Sequence, residues 1–465
     1  MGEERLLHMK TIAYLLNGIL LTTPLTLSAQ DLLPDPTFEL ATSMVGQGFT
    51  TMAVQVDGSI LAGGLLSSYD GSLRSGLIRL MPNGQLDPSF APEFFPSQVE
   101  LGAFVSAISI QPDGEILVGG EFGMVNSVPR FGLARLLPNG NTDQTFSTLL
   151  EGNFFAVGTT PNENVFAGGA LFNAPTNVVA MDQNGSIVST PLPNSASLEC
   201  IHTQPDGKIL LGFSGTPHMA RLEQDGTLDV SFQSTLGSST LAVYDIALLQ
   251  DGRMMIIGNF DTVDGVWRKN IARLMNDGSL DTTFDPGAGF NNLTVSLDTL
   301  PGGDLLVASY SSTYDGIDLN GGIGSLVRLN DDGGLDTSYE SEGVWEVLVQ
   351  PDGKVLIAGA ESMHFGDLYA HGVMRLAPDL STSISESPQP ELRIWPNPAS
   401  DAVNMHRADD GEFAYILTDV LGQEVGSGSG CGRQLIIPLD HINAGTYLLR
   451  FADERGLQVQ RIVKK

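Results

Sequence analysis

The sequence predicts an all-β protein in two parts, and three observations lead to that prediction. The 465 residues include 54 glycines and 25 prolines, which mark many turns. A pattern of apolar run, sharp turn and second apolar run recurs along most of the chain. The charge is uneven, because the formal net charge is −31 while residues 387–465 hold ten acids and eight bases. The C-terminal part therefore differs in composition from the repeated part.

The turn of the recurring pattern occurs seven times. Its clearest form is "QPDGEILVGG", in which Pro presets the turn backbone, Asp caps it and Gly ends it. The first and last copies begin 295 residues apart, at Gln55 and Gln350, so the six intervals average about 49 residues. The seven copies begin at Gln55, Gln111, Thr160, Gln204, Leu249, Leu300 and Gln350.

A second half follows most copies, as in "LARLLPNGNTDQTF" from Leu133. Each unit therefore has two short strands around the first turn and two around the second. The second strand is apolar on both faces, which is typical of a strand buried on both sides, and its glycines indicate crowded backbones. Four strands in a period of roughly 40 to 50 residues predict a β-propeller blade.

The two ends of the repeated part predict a closed ring of seven blades. The seventh copy, "GVMRLAPDLSTSISES", lacks the last strand of the pattern, whereas "DLLPDPTFEL" near the N-terminus has that strand with Asp35 and Phe38. The N-terminal strand would complete the seventh blade and leave no open edge. A linear β-solenoid is the alternative, but it would not need this permuted end. The third copy departs most, with Glu163 at the turn glycine and Ala180 at an arginine position, and we expect a distorted blade there.

The "QPDGKIL" and "ARLMNDGSLDTTF" patterns resemble the Delta-60 repeat family of bacterial β-propeller-like proteins. The resemblance covers residues 31–379, and we assign residues 30–379 to the propeller. It implies the fold and no particular activity, because the family has no established common function.

The N-terminus is predicted to be a signal peptide, residues 1–29. Lys10 precedes an apolar run over residues 12–25, and small residues lead to a cleavage site between Ala29 and Gln30. Met9 is a candidate start, because the preceding residues contain two acids. A membrane anchor is the alternative, but the run is short and Pro24 interrupts it.

A Ser/Pro-rich linker, residues 380–391, separates the repeats from a predicted small β-sandwich, residues 392–465. This part resembles the C-terminal sorting domain of the type IX secretion system. The resemblance implies recognition by that machinery, removal of the domain near residues 381–392, a location in the medium or on the outer cell surface, and attachment to surface lipopolysaccharide in many members. The residues that match the sorting motif are Pro396, Asn397, Pro398, Gly422, Gly445, Tyr447 and Lys464.

Several function classes are excluded or left without a motif. The acidic chain repels nucleic acid and anionic membranes. Cys200 and Cys431 cannot form a disulfide framework. There is no zinc-binding spacing, nucleophile elbow or phosphate loop, so we assign no catalytic residue, metal ligand or resident cofactor. His364 and His371 share one loop without a visible third metal ligand.

A repeated arginine recurs in phase with a repeated aspartate. Charges in strands flanked by apolar residues need partners, and we expect structural Arg–Asp pairs within blades rather than a ligand site. The predicted pairs are Arg79–Asp87, Arg135–Asp143, Arg221–Asp229, Arg273–Asp281, Arg328–Asp336 and, through the permuted end, Arg375–Asp35.

The loops between the second and third strands differ from copy to copy and are the candidate ligand-binding regions. Aromatic residues beside Asp and Asn suit carbohydrate or protein recognition, with packing between blades as the alternative. The aromatic candidates are Tyr69, Phe131, Trp267, Tyr314 and Tyr369. The candidate calcium ligands are Asp315, Asp318, Asp331 and Asp332, which lack the EF-hand pattern and are common as turn residues.

Three functions are consistent with these features of the sequence. The first is a non-enzymatic surface or secreted scaffold that binds glycans, matrix or a protein. The second is a propeller lyase or hydrolase acting on polysaccharide, which carboxylates lining the central channel would favour. The third is a purely structural surface-layer component.

Overall fold

The computed structural model describes residues 32–97, 102–174, 176–192, 195–238, 241–319, 322–378, 393–395, 399–406, 412–419, 424–431, 434–453 and 456–465. The all-β prediction is confirmed, because every regular element in these residues is a strand. These residues contain no helix long and apolar enough to cross a membrane. They form two compact units that divide after Leu380. The predicted signal peptide and linker lie outside the described residues.

The described part of the first unit contains seven antiparallel β units, which we call blades 1 to 7 in order of their inner strands. Each inner strand contacts the inner strand of the next blade, and that of blade 7 contacts that of blade 1. The strands therefore follow one another around a closed ring, as the prediction requires. The inner strands are Met44–Val54, Phe104–Ile110, Gly152–Thr159, Leu198–Thr203, Ala242–Leu248, Thr294–Thr299 and Ser341–Val349.

In each blade the second strand pairs antiparallel with the inner strand on one side and with the third strand on the other. The second strands are Ile60–Tyr69, Ile116–Glu121, Val165–Leu171, Ile209–Phe213, Met254–Asn259, Leu305–Ser309 and Val355–Phe365. The third strands are Leu77–Leu80, Leu133–Leu136, Val178–Met181, Met219–Leu222, Ile271–Leu274, Ser325–Leu329 and Val373–Pro378.

Among the described residues, three blades have an outer strand, and it is short in each of them. It is Ile187–Ser189 in blade 3, Leu335–Ser338 in blade 6 and Leu32–Pro34 in blade 7. Single bridges take its place in the other blades, at Leu80–Leu86, Leu136–Thr142, Leu222–Leu228 and Leu274–Leu280. Blade 3 is a complete four-stranded sheet, and Glu163 has a φ of +63° where the glycines of the other copies have φ values between +82° and +96°.

The N-terminal strand closes blade 7. Leu32, Leu33 and Pro34 pair with Pro378, Ala377 and Leu376 of its third strand. This strand arrives from the other end of the repeated part, so the blade joins chain segments more than three hundred residues apart. Blade 7 therefore depends on both ends of the repeated part for its fourth strand.

The hydrophobic cores lie between adjacent blades. In the second strand of blade 1, Leu61 packs with Ile116 and Val118 of blade 2, whereas Ile60 and Ala62 pack with residues of blade 7. Alternate side chains point to opposite faces of a strand. This is why the second strand of each copy is apolar on both faces.

Every inner strand has a β-bulge at the same place, where one residue has no partner on the second strand. In blades 2 and 5 the residue opposite the bulge is a glycine that the available space requires: a Cβ on Gly120 would lie 2.0 Å from the Phe104 oxygen, and one on Gly258 would lie 2.0 Å from the Ala242 oxygen. The residues skipped in the pairing are Thr50, Ser106, Phe155, Glu199, Tyr244, Val295 and Trp345.

The described part of the second unit has two antiparallel sheets that contribute to one hydrophobic core. Val403 and Met405 come from one sheet, and Leu417, Leu449 and Ile462 come from the other. The strands of the first sheet are Arg393–Trp395, Ala402–His406 and Gln434–Pro438. Those of the second are Glu412–Asp419, Glu424–Cys431, Gly445–Asp453 and Gly456–Lys464.

Replacing Asp35 by alanine tests the closure of blade 7. Arg375 and Lys354 both lie 2.8 Å from the Asp35 carboxylate, and the variant would leave these cations without it. We expect a loss of about 3 kcal/mol in the free energy of unfolding at pH 7, measured by urea denaturation. Burial opposes ionisation, but bonds from Lys354, Thr37 and Arg375 outweigh it and hold the pKa of Asp35 well below its usual value.

The lowered pKa of Asp35 determines how the stability difference between the natural chain and the variant changes with pH. A depressed pKa in the folded state stabilises the fold above the unfolded value, and this contribution is lost as the pH falls below about 4. The gap between the natural chain and the variant should therefore shrink on acidification. Asp87→Ala, which removes the equivalent but more exposed pair of blade 1, is the control. An equal or smaller loss for Asp35→Ala would contradict a closing role.

Candidate functional site

The structure brings the members of all six predicted Arg–Asp pairs together. The shortest nitrogen–oxygen distances lie between 2.6 and 3.3 Å, the longest being that between Arg328 and Asp336. Arg328 makes its closer ion pair with Asp304, at 2.6 Å. In the other pairs the arginine also lies over the aromatic ring that ends the repeat, as for Arg79 with Phe90, at 4.5 Å from the ring centre.

Four of these arginines also hold the next blade. Each donates a hydrogen bond to a carbonyl oxygen in the turn between the third and outer strands of its neighbour. The bonds run from Arg79 to Pro138, Arg221 to Asn276, Arg273 to Asp331 and Arg375 to Pro82. The last of these joins blade 7 to blade 1. The repeated charges thus have internal partners in and between the blades.

In five blades a further charged residue, one position after the glycine of the first turn, contacts a member of these pairs. Where the residue is basic it contacts the aspartate, as Lys208 contacts Asp229 at 2.8 Å. Where it is acidic it contacts the arginine, as Glu115 contacts Arg135 at 2.9 Å. Its change of sign hides it in a sequence comparison, although its fixed spacing from the turn was a usable signal.

The bonds of this network shift the pKa of five of its aspartates downward. Hydrogen bonds from Lys208 and Ser231 hold the pKa of Asp229 well below its usual value. For Asp281, burial acts in the opposite direction, but bonds from Thr283, Arg253 and Arg273 prevail and its pKa is also depressed. These carboxylates are therefore charged at neutral pH and held by their partners.

The variable loops predicted from the sequence are short hairpins in five blades. Those of blades 2, 5 and 6 are Met124–Val125 with Val128–Pro129, Thr262–Val263 with Val266–Trp267, and Thr313–Tyr314 with Ile317–Asp318. In blades 1 and 7 the end of the second strand pairs with Ser72–Leu73 and Leu368–Ala370. Two more short strands, Phe94–Phe95 and Leu236–Gly237, pair with the hairpins of blades 2 and 5.

Two of the aromatic candidates are buried and cannot contact a ligand. Tyr69 is 2% exposed and packs edge-on against Phe49. Tyr314 is 1% exposed, packs against Phe290, and donates a 2.5 Å hydrogen bond to the Gly333 oxygen. Both stand immediately before the hairpin turn, at a position whose side chain points into the protein. They are packing residues, which corrects their assignment as ligand-binding candidates.

The other aromatic candidates are exposed. Trp267 is 50% exposed, Tyr369 is 70% exposed, and Phe131, between a hairpin and the third strand of blade 2, is 48% exposed. Trp267 pairs across its hairpin with Thr262, and Tyr369 pairs with His364, whose ring lies 5.5 Å away. These rings are the accessible aromatic surface of the hairpins.

The hairpins are fixed to the body of the propeller by their turn residues. The Asp264 carboxylate accepts hydrogen bonds from the backbone N–H groups of Thr235 and Leu280, and Asp70 accepts from Thr42. Asp70 and Asp264 have φ values of +46° and +51°, a conformation that Asp and Asn tolerate better than most residues. The exposed side chains are therefore held on ordered supports.

The candidate calcium ligands lie in different surroundings. Asp315 accepts a hydrogen bond from the Ala288 N–H, Asp331 pairs with Arg273, and Asp332 accepts from the Gly334 N–H. His364 lies 3.4 Å from Glu342, and His371 contacts the Glu361 oxygen. In the part of the chain that the structure describes, no three side chains of metal-binding type come together.

The inner strands around the centre of the ring carry carboxyl groups that the sequence did not reveal, which we call the channel carboxyl groups. Asp245, Asp298 and Glu346 lie on the inner strands of blades 5, 6 and 7. Asp245 accepts a hydrogen bond from the Leu297 N–H at 3.0 Å, and Asp298 accepts one from the Val349 N–H at 2.7 Å. Each bond joins one inner strand to the next. None of the seven inner strands contains a lysine or an arginine.

Burial and mutual repulsion raise the pKa values of these carboxyl groups. The pKa of Asp245 is raised to about 7 by burial, with a contribution from the charge of Asp298. Burial also raises the pKa of Asp298, and burial together with the charge of Asp245 raises that of Glu346 well above its usual value. Cys200, a free thiol on the inner strand of blade 4, has a raised pKa for the same reasons.

In the second unit, Tyr447 and Lys464 stabilise local turns. The Tyr447 hydroxyl donates to the Asn443 oxygen at 2.8 Å, and the Lys464 ammonium donates to the oxygens of Leu439 and Ile442. Gly445 begins the strand that carries Tyr447. The remaining sorting-motif candidates, Pro396, Asn397, Pro398 and Gly422, lie outside the described residues, as do the side-chain contacts of Cys431.

Replacing Asp245 by asparagine tests the channel electrostatics. A folded-state pKa of about 7, above the unfolded value, stabilises the fold fully at low pH, and this contribution is lost as the pH rises through 7. From pH 5.5 to pH 8.5 the natural chain should lose about 2 kcal/mol relative to the variant. Thermal unfolding at both pH values measures this, with Asp318→Asn on the exposed surface as control. Parallel pH profiles for the natural chain and Asp245→Asn would contradict the assignment.

Comparisons with known proteins agree with this architecture. Residues 55–90, 111–146, 204–232, 249–284 and 350–382 match the domain of unknown function DUF5122, described as a β-propeller. Residues 393–465 match the secretion system C-terminal sorting domain. The matched propeller model thus carries the DUF5122 description rather than the Delta-60 name. No curated protein matches the sequence.

Solved structures of similar fold have low sequence identity to this chain. A streptogramin B lyase is 12% identical, with a TM-score of 0.47, and the match covers 76% of this chain and 98% of the lyase. YCF48 bound to D1 peptide is 12% identical, with a TM-score of 0.47 and coverages of 77% and 99%. PorZ, a surface component of the type IX secretion system of Porphyromonas gingivalis, is 13% identical, with a TM-score of 0.45 and coverages of 93% and 61%.

Proposed function

We propose that this chain, which carries DUF5122 β-propeller repeats and a type IX sorting domain, is a binding scaffold that works outside the cell. The sorting domain indicates export, followed by secretion or attachment at the cell surface. Removal of the predicted signal peptide, removal of the sorting domain and anchoring to lipopolysaccharide are parts of the same proposal. The ligand would be a glycan or a protein that contacts the hairpins.

One observation carries the proposal. Trp267 and Tyr369 expose half or more of their surface on hairpins whose backbones are held by hydrogen bonds. Large aromatic side chains that remain exposed on an ordered support are typical of recognition surfaces. The repeated arginines and aspartates, by contrast, have internal partners and are not needed for a ligand.

A binding array tests this function. The exported chain, residues 30–465, is applied to immobilised polysaccharides and matrix proteins, with and without calcium. We expect saturable binding to at least one ligand, with an affinity at least about tenfold lower in the Trp267→Ala, Tyr369→Ala double variant, since loss of two aromatic contacts removes about 1.4 kcal/mol or more.

Leu73→Ala is the matched control for this array. Leu73 is 85% exposed at the same hairpin position in blade 1, so its replacement removes an exposed apolar side chain elsewhere in the ring. Binding that the double variant retains in full would contradict the proposal. Absence of binding to every ligand would instead favour a structural surface-layer component.

A polysaccharide lyase or hydrolase is the second candidate, and the channel carboxyl groups favour it. A carboxyl group with a pKa near 7 suits a proton donor or acceptor at neutral pH, as for Asp245. Against it, Asp245 and Asp298 already accept backbone hydrogen bonds from the next blade. Release of soluble fragments from an immobilised polysaccharide, abolished by Asp245→Asn, would establish this candidate.

A further inference from the structure

The hairpins of blades 5, 6 and 7 place three side chains at one equivalent position. The cross-strand pairs on the outer side of these hairpins are Thr262–Trp267, Thr313–Asp318 and His364–Tyr369. The neighbouring positions before the turn, Val263, Tyr314 and Phe365, point inward and are buried. Alternation along the strands therefore directs Trp267, Asp318 and Tyr369 to the solvent side of three consecutive blades.

The chemistry of the three positions is aromatic, acidic, aromatic. Asp318 is exposed, and among the residues that the structure describes its carboxylate has no hydrogen-bond or ion-pair partner. The carboxylates of the hairpin-turn aspartates, by contrast, have partners: Asp264 accepts hydrogen bonds from two backbone N–H groups, and Asp315 accepts one. The Asp318 carboxylate is thus available to accept hydrogen bonds from a ligand.

We infer that the hairpins of blades 5 to 7 form a docking track for an extended, uncharged polysaccharide. The inference rests on the proposed binding function and names its ligand class. Trp267 and Tyr369 would stack on the apolar faces of sugar rings, and Asp318 between them would accept hydrogen bonds from sugar hydroxyl groups. A chain-like ligand is needed because the three side chains belong to three separate blades.

The charge of this surface excludes a polyanion. Glu342 lies 3.4 Å from His364, the cross-strand partner of Tyr369, and the exposed Asp367 belongs to the turn of the same hairpin. The side chain of Asp285 is 70% exposed and lies 3.4 Å from Arg268. Arg268 is only 7% exposed and donates to the Trp267 oxygen, so its charge is not presented to a ligand. Lys269 is half-buried. Exposed carboxylates therefore outnumber exposed cations along the track, which suits a neutral polymer with hydroxyl donors.

Affinity electrophoresis of the exported chain tests the track. Native gels contain one soluble neutral polysaccharide (mixed-linkage β-glucan, xyloglucan, galactomannan or α-mannan) or the polyanion polygalacturonate. We expect at least one neutral polymer to retard the natural chain. The dissociation constant should rise at least about tenfold in Trp267→Ala and in Tyr369→Ala, and severalfold in Asp318→Asn. Leu73→Ala should behave as the natural chain, and thermal unfolding of each variant verifies folding.

The outcomes separate this inference from the proposed function. The track is wrong if only polygalacturonate retards the natural chain, or if no neutral polymer does. It is also wrong if a neutral polymer retards the Trp267→Ala, Asp318→Asn, Tyr369→Ala variant as strongly as the natural chain. If a protein ligand on the array requires Trp267 while no neutral polymer retards the chain, the track is wrong and the binding function stands. If no ligand of any class depends on Trp267 or Tyr369, both are wrong.

Discussion

The buried ion pair between the third and outer strands is the interaction on which the ring depends. In blade 5, Arg273 contacts the carboxylate of Asp281 in the outer segment of its own blade, lies over Phe284 and donates to a turn of blade 6. A cation with 4% side-chain exposure is stable only when such partners are present. One side chain therefore fixes the outer strand, covers the end of the repeat and sets the position of the neighbouring blade.

The symmetric and asymmetric features of the molecule have different roles. Residues that recur in phase, such as Arg221 and Asp229, contact each other and build the frame. Residues that do not recur, such as Trp267 and Asp245, occupy the hairpins and the channel, where the frame leaves surface free or places charges close together. A repeat protein can vary these positions without disturbing its cores, because each core needs only the in-phase apolar residues of two adjacent blades.

The sequence was sufficient for the frame, because the frame is periodic. The phase of Arg375 with Asp35 identified a pair 340 residues apart, and the turn motif located the strands. It was not sufficient for the hairpins: Tyr314 and Trp267 look alike as loop aromatics, and only the hairpin register separates a buried position from an exposed one. The Asp-Gly that follows Tyr69 and Tyr314 was a usable signal of that register. The channel carboxyl groups were not recognised because they lie about 50 residues apart in the sequence, and only the ring brings their strands together.

The permuted blade has a consequence for the order of events during synthesis and export. The strand Leu32–Pro34 is among the first described segments of the chain, yet its partner strand ends at Pro378. Pairing of such distant segments has a high contact order and is slow compared with hairpin formation. An emerging chain can therefore form its first six blades locally, but the circle is completed only after the last repeat has appeared. The proposed cleavage beyond Pro378 would leave that final join untouched, so a processed chain would keep a closed propeller.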